Sequence, residues 1–128
     1  MAQIEEVQID LSYLMSYSSI GDDFVTGMLD QCIATLPEVM TKLKQTLEQQ
    51  DWKGLRMASH KFIPILPLMG FGAIVKNMKT IEIFSEELSR IPDEEKAKEV
   101  QELVMNAIEY CDFALPCLLL EYEKIKNN

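Results

Sequence analysis

The sequence contains only one histidine, and this scarcity argues against several kinds of catalytic site. His60 is the single histidine among 128 residues, whereas di-iron bundle proteins need a Glu-x-x-His pair on each of two helices. Met57 stands three residues before His60, where that pattern requires a glutamate. A metal or redox enzyme built on a helical bundle is therefore the least favoured interpretation, and neither a metal nor another cofactor is expected.

Cysteine is scarce too, and targeting signals are missing. Cys32, Cys111 and Cys117 are odd in number and form no CxxC, which argues against a disulfide framework or a zinc site and favours a reducing compartment. The opening MAQIEEVQID lacks the basic and apolar regions of a signal peptide. No apolar run approaches the ~20 residues that span a bilayer. We expect a free-standing cytoplasmic protein, since the chain begins with Met1.

Positive charge and strand patterns are also in short supply. Lysine plus arginine is 12 and aspartate plus glutamate is 21, a net charge of −9. Because nucleic acids and anionic membranes are bound through basic patches, neither is an expected partner. With 48% hydrophobic residues, five glycines and no apolar/polar alternation, the chain is expected to be one all-α domain over residues 1–128, with residues 1–9 as a lead-in.

Apolar residues recur with the 3.6-residue period of amphipathic helices in four long segments. Short polar or glycine-containing connections separate them, which predicts an antiparallel up-down four-helix bundle with a short extra N-terminal helix. We expect that short helix to be capped by Asp10 and to end near Tyr17. The long helices are expected at about 23–49, from 52 onwards, from Gly72 to before Pro92, and from Pro92 to about 126.

Prolines fall inside three of these helical patterns, and each removes a backbone donor. At Pro37 the second helix either kinks or gives way to a separate helix. Pro116 is expected to kink the last helix. Pro64 and Pro67 lie in the third pattern, which either bends there or ends near Ile63.

The third pattern turns His60 away from the core. Its apolar stripe comprises Trp52, Leu55, Ala58, Phe62, Ile65, Leu66 and Met69. At about 100° per residue, His60 lies roughly 200° from Phe62 and should face solvent. A lone surface histidine has ordinary explanations, but a cluster of exposed apolar residues beside it indicates a contact surface. The face that His60 shares is basic before it and apolar after it, with Lys53, Arg56, Ile63, Pro64 and Pro67.

Glu82 is the predicted partner of His60. The third and fourth helices are joined by a short turn, with His60 ten residues before Gly70 and Glu82 ten residues after Gly72. At 1.5 Å per residue both lie about 15 Å from the turn, at the same height on neighbouring helices. A carboxylate that accepts from Nδ1–H would leave Nε2 free and outward. Alternatively, Glu82 is one of many acids on a solvated face.

These residues resemble the histidine-containing phosphotransfer (HPt) domains of bacterial phosphorelays, over about residues 10–90. The resemblance lies in DLSYLMSYSSIGDDFVTGML, in LPEVMTKLKQTLEQQDWKGLRMASHK, and in a glycine ten residues after the histidine, Gly70. The segment QQDWKGLRMASHK matches the family's order of an acidic residue, an aromatic residue, a short helical run and the histidine. Glu82 falls at the family's position for a polar side chain that orients the imidazole.

The resemblance implies a four-helix bundle that presents His60 as a phospho-acceptor. Such domains take a phosphoryl group from an aspartyl phosphate on a receiver domain and pass it to another receiver. The implied partners are response-regulator receivers and a hybrid sensor histidine kinase. The implied protein is a monomeric phosphocarrier without its own turnover, and Mg²⁺ is expected only on the receiver.

Two positions depart from the family pattern. The family commonly has lysine three residues after the histidine and glycine four residues after it, where this chain has Ile63 and Pro64. Lys61 points about 100° away from His60, whereas Arg56 shares its face and is the better candidate to contact a phosphoryl oxygen. The departure at residue 63 motivates an alternative, an interaction module of the same fold that binds a receiver or kinase without carrying phosphate.

Overall fold

The described part of the chain is built from helices. The computed structural model describes residues 9–127, and no strand occurs in that range, so the all-α prediction is confirmed. Residues 1–8 of the expected lead-in lie outside the described residues. The α-helices are α1 (Ser12–Met15), α2 (Asp22–Glu48), α3 (Trp52–Phe62), α4 (Val75–Leu88) and α5 (Glu94–Lys126), with 3₁₀ helices at Ser18–Ile20, Ile63–Met69 and Gly72–Ile74.

The N-terminal helix is shorter than predicted. It begins at Ser12, its N-cap position is Leu11, and no side chain caps it. The expectation of Asp10 as the cap residue is therefore wrong, although Asp10 Oδ1 still accepts a hydrogen bond from the Ser12 backbone N–H at 2.9 Å. The helix stops at Met15 because the backbone turns into the 3₁₀ helix before Gly21.

Helices α2 and α5 each run through a proline without interruption. Pro37 lies inside α2 and Pro116 inside α5, so the alternative of two abutting helices at Pro37 is wrong. Both prolines are exposed. On that side of a helix a carbonyl that loses its intrahelical donor remains open to water, which lowers the cost of the missing bond.

Aspartate side chains cap the N-termini of α3 and α5. Asp51, directly before Trp52, accepts a hydrogen bond from the Gly54 backbone N–H at 3.0 Å. A side chain at residue 54 would collide with this cap, since its Cβ would lie 2.4 Å from Asp51 Oδ2. Asp93 caps α5 in the same way through Lys96 N–H at 3.0 Å. Each cap contributes about 1 kcal/mol to helix stability.

The third helical pattern divides into two segments rather than bending. The α-helix ends at Phe62, and a 3₁₀ helix takes over at Ile63 and contains both Pro64 and Pro67. The bent-helix expectation is wrong, and the alternative of an end near Ile63 is right. Gly70 closes the segment at φ +73°, and a Cβ there would lie 2.8 Å from the backbone of Asp10. Glycine is thus required by both conformation and space.

One core holds the helices together. α2 packs against α3 and α5, and α4 packs against α3 and α5, while α1 packs against the 3₁₀ helix at 63–69. Burial of each large apolar side chain contributes about 1.5–3 kcal/mol. The largest fully buried side chains are Phe62, Phe71, Leu14, Leu29, Leu36, Leu43, Leu55, Leu66, Met69, Met78, Ile81 and Leu118.

Helix α5 is long and apolar enough to cross a membrane by length and composition alone, although charged residues interrupt its apolar stretches. One such helix is weak evidence for a membrane span. A core helix passes the same test, and α5 buries one side against the other helices. Its buried residues include Val104, Ala107, Ile108, Cys111, Ala114 and Leu118.

Candidate functional site

His60 lies on the outer side of α3, half a turn before the helix ends at Phe62. Its side chain is 71% exposed, as the helical phase predicts, while Ser59 and Phe62 on either side of it point into the core and are fully buried. The Ser59 hydroxyl bonds to the Leu55 carbonyl at 2.8 Å. The helix is thus held firmly by its inner side, and the imidazole is presented to solvent from a fixed backbone.

The imidazole is held by a carboxylate on the next helix. His60 Nδ1 and Glu82 Oε2 are 2.7 Å apart, so the predicted hydrogen bond is present. Because an ionised carboxylate only accepts, Nδ1–H is the donor and the lone pair of the neutral ring is on Nε2. Glu82 is the less exposed partner, at 25% against 71% for His60. The pair therefore fixes both the tautomer and the orientation of the ring.

A second interhelical pair has the same register. Arg56 Nε lies 3.0 Å from Glu86 Oε2, one turn from the His60–Glu82 pair on both helices. Glu86 also forms an ion pair with Arg90 at 3.3 Å. The antiparallel register thus places residue 56 across from 86 and residue 60 across from 82. The guanidinium of Arg56 is engaged by Glu86, so the expected role of Arg56 as a phosphoryl contact has a competitor.

A shallow hollow of about 320 Å³ opens beside the imidazole. It combines a nucleophile, a carboxylate, an ammonium group and apolar carbon on one surface. We call this surface the histidine hollow; it is lined by His60, Ile63, Pro64, Lys79, Glu82 and Ile83. Ile83 is 59% exposed, an unusual position for isoleucine in the middle of a helix. Exposed apolar side chains around a reactive group favour a protein partner over a small molecule.

The other predicted contact residues are dispersed. Lys53 and Lys61 are exposed, but neither lines the histidine hollow. Pro67 is half-buried in the 3₁₀ helix and also lies outside the lining. The hollow therefore brings together His60 and Glu82 with Ile63 and Pro64.

Sequence reasoning missed two lining residues, Lys79 and Ile83. Both belong to α4 and stand three residues before and one residue after Glu82. A signal for Lys79 was present, because a residue at i−3 of a helical position lies beside it on the surface. Ile83 has no such signal, because it is one position from Glu82 and about 100° further around the helix.

Other concave places carry less chemistry. A cleft of about 600 Å³ lies between the ends of α2, α3 and α5. It is larger than the histidine hollow, but its polar lining consists of lysine, glutamate and glutamine and contains no imidazole. Within residues 9–127 no three histidine, cysteine or acidic side chains converge as metal ligands. Size alone therefore does not select the site.

Comparison with known proteins assigns no relative: the chain matches no family model, no curated protein and no solved structure.

Proposed function

We propose that this protein is a phosphocarrier of the HPt type, which accepts a phosphoryl group on His60 from the aspartyl phosphate of a receiver domain and passes it to another receiver. The observation that carries the proposal is the 2.7 Å contact between His60 Nδ1 and Glu82 Oε2, on an imidazole that is 71% exposed. An oriented nucleophile that a second protein can reach is what a relay between proteins requires.

The transfer needs little from this chain beyond positioning. The lone pair of Nε2 attacks phosphorus in line, the N–P bond forms, and the P–O bond to the receiver's aspartate breaks, so that aspartate leaves as a carboxylate. The ring keeps its Nδ1 proton and becomes cationic. Glu82 faces that proton and stabilises the positive charge. Passing the group onward reverses these steps, so the protein carries phosphate without its own turnover.

The proposed architecture is the antiparallel up-down four-helix bundle formed by α2 to α5, with α1 as the short extra helix. Its support is the closed set of neighbours, since α2 and α4 each pack against both α3 and α5. We propose response-regulator receivers and a hybrid sensor kinase as partners of a monomeric cytoplasmic protein. The proposed chemistry places Mg²⁺ on the receiver and asks for no cofactor on this chain.

Transfer from a panel of phosphorylated receivers tests the proposal. We expect at least one receiver to label the protein with acid-labile phosphate. Because His60 is the only histidine, His60→Gln removes every possible phosphohistidine and should abolish the label. Glu38→Gln, at an exposed position of α2 that does not line the histidine hollow, removes a charge away from the site and should leave labelling intact. Label that survives in His60→Gln would refute the site.

A second candidate is a module of the same architecture that binds a receiver or kinase without carrying phosphate. The apolar pair Ile63 and Pro64 in the hollow favours it, because it supplies contact area without a cation. This function predicts that His60→Ala leaves binding unchanged and that no receiver labels the wild-type protein.

A further inference from the structure

A phosphoryl group on His60 would arrive in an acidic neighbourhood. It brings a charge of about −1.5 to −2 at neutral pH, and the carboxylate of Glu82 is already hydrogen-bonded to the same ring. The chain as a whole carries a net charge of −9. Two anions so close together repel, so a stable phosphorylated state needs a cation within reach.

Two of the nearby cations are poorly suited to that role. Arg56 is on the correct face, but its Nε is 3.0 Å from Glu86, and moving it to a phosphoryl group would leave Glu86 with Arg90 alone. Lys61 follows His60 directly and is turned about 100° away from it around the helix axis. It does not line the hollow.

Lys79 fits the requirement. It lines the histidine hollow together with His60 and Glu82, it is exposed, and within residues 9–127 it forms no ion pair. Its ammonium group is therefore available without breaking an existing contact. A flexible four-carbon stem also lets the ammonium follow a group that arrives and leaves.

The register of α3 and α4 explains why the cation comes from α4. With residue 56 across from 86 and residue 60 across from 82, residue 63 falls across from 79. Ile63 is apolar and half-buried, and Lys79 faces it over the same hollow. We propose that Lys79 is the residue that contacts and neutralises the phosphoryl group on His60, which rests on the proposed function.

The ionisation of the phosphoryl group itself provides the test. Phosphoramidate serves as a small donor: Nε2 attacks phosphorus, the N–P bond to the protein forms, and ammonia leaves with the electrons of the broken P–N bond. The pKa of the phosphoryl group is then followed by ³¹P NMR as pH is varied. A nearby ammonium favours the dianion, so in Lys79→Gln this pKa should rise by about half a pH unit, the size expected of an exposed charge pair.

Two variants distinguish a local contact of Lys79 with the phosphoryl group from the effect of the protein's overall charge on the phosphoryl pKa. Lys76→Gln removes the same charge from the same helix, one turn before Lys79 and outside the hollow, and should leave the phosphoryl pKa at the wild-type value. Ile63→Lys combined with Lys79→Gln puts the ammonium group back from the opposite side and should restore that value. A merely structural role of Lys79 would not be restored by an ammonium group placed at residue 63.

The outcomes distinguish this inference from the proposed function. Equal phosphoryl pKa values in wild type, Lys79→Gln and Lys76→Gln would overturn the role of Lys79 and leave relay by His60 standing. Phosphoramidate labelling with the expected pKa shift, but no transfer from any receiver, would keep the Lys79 contact and remove the relay. If His60 accepts no phosphoryl group from either donor, both proposals fail.

Discussion

Two surfaces of this protein expose apolar side chains to a similar degree but differ in chemistry. In the histidine hollow Ile83 is 59% exposed, and on the outer side of α5 Phe113 is 51% and Leu120 65% exposed. Only the hollow combines its apolar residues with an oriented imidazole. Exposed apolar area indicates contact of some kind, but the polar atoms within it decide which contact has chemical consequences.

The two surfaces also differ in what lies behind them. Behind the hollow, α3 and α4 are joined by the His60–Glu82 and Arg56–Glu86 pairs. The inner side of α5 is packed in the core. A side-chain hydrogen bond from the Tyr122 hydroxyl to Asp30 connects α5 to α2. Substitutions and chemical modification at the two surfaces should therefore have different effects.

The largest expected difference is between two thiols of α5. Cys111 is 1% exposed and burial raises its pKa to about 12, whereas Cys117 is partly exposed. Since modification of a core thiol requires opening of the structure, a thiol reagent at pH 8 should modify Cys117 at least about 1,000-fold faster than Cys111. Mass spectrometry after timed exposure measures both rates.

The control for the thiol experiment is Cys117→Ser, which should lose the fast reaction and keep the slow one. Cys32 is also buried, with its pKa raised by burial, and should react as slowly as Cys111. Rapid modification of Cys111 in the native protein would contradict the packing of α5 against the core.

A charge placed on each surface should affect transfer only at the hollow. Ile83→Glu adds a carboxylate where a receiver would dock, and transfer from the receiver should fall by about tenfold or more, because charges are poorly tolerated in the buried centre of an interface. Leu120→Glu makes the same change at a residue of similar exposure, 65% against 59%. It should leave transfer at the wild-type rate.

Rates measured over a range of receiver concentrations decide this prediction. Both variants should unfold at nearly the wild-type denaturant midpoint, because substitutions at exposed positions change stability by at most about 0.5 kcal/mol. Equal losses in Ile83→Glu and Leu120→Glu, or a loss in Leu120→Glu alone, would move the docking surface away from the hollow.

Neutralising one carboxylate at the hollow and one beside α5 should give a smaller difference in the rate of transfer. In Glu82→Gln an amide oxygen still accepts from Nδ1–H but no longer offsets the charge of the phosphorylated ring, so we expect transfer to slow by about tenfold. Asp30→Asn changes the carboxylate that accepts from Tyr122 and should leave transfer unchanged. Single-turnover labelling measures both. An unaltered rate in Glu82→Gln would show that the negative charge of Glu82 does not assist transfer.

The smallest expected effect is a loss of stability in alkaline solution. Burial raises the pKa of Cys111 from its ordinary 9.0 to about 12, so the unfolded chain releases this proton first. The stabilising contribution is complete below pH 9 and falls as pH rises toward 12, by at most about 1.4 kcal/mol per pH unit. Urea unfolding at pH 8 and pH 10 measures the change, and Cys111→Ala should show a flatter dependence.

Local sequence signals were sufficient for the all-α class and for the direction in which His60 points. Asp51 and Asp93 are the N-cap residues of α3 and α5, because each accepts a hydrogen bond from a first-turn N–H. The 3.6-residue period put His60 opposite Phe62, and burial of Phe62 left the imidazole exposed. These features depend on interactions over a few residues, which a linear pattern records.

His60 and Glu82 meet although the chain between them is not α-helical throughout. An α-helical rise was expected on both sides of the turn, but Ile63–Met69 and Gly72–Ile74 are 3₁₀ helices. A 3₁₀ helix rises about 2.0 Å per residue instead of 1.5 Å. The extra length on the two sides differs by only about 2 Å, less than half of one helical turn, so the partners still meet.

The sequence by itself determined the helical class and an outward histidine with an acidic residue at its height. Only the tertiary structure decided that Arg56 is engaged by Glu86 and that Lys79 and Ile83 complete the hollow. The physical reason is that helical phase is a short-range property of one segment. Which side chains face each other across two helices depends on their register, and the packing of the whole core sets that register.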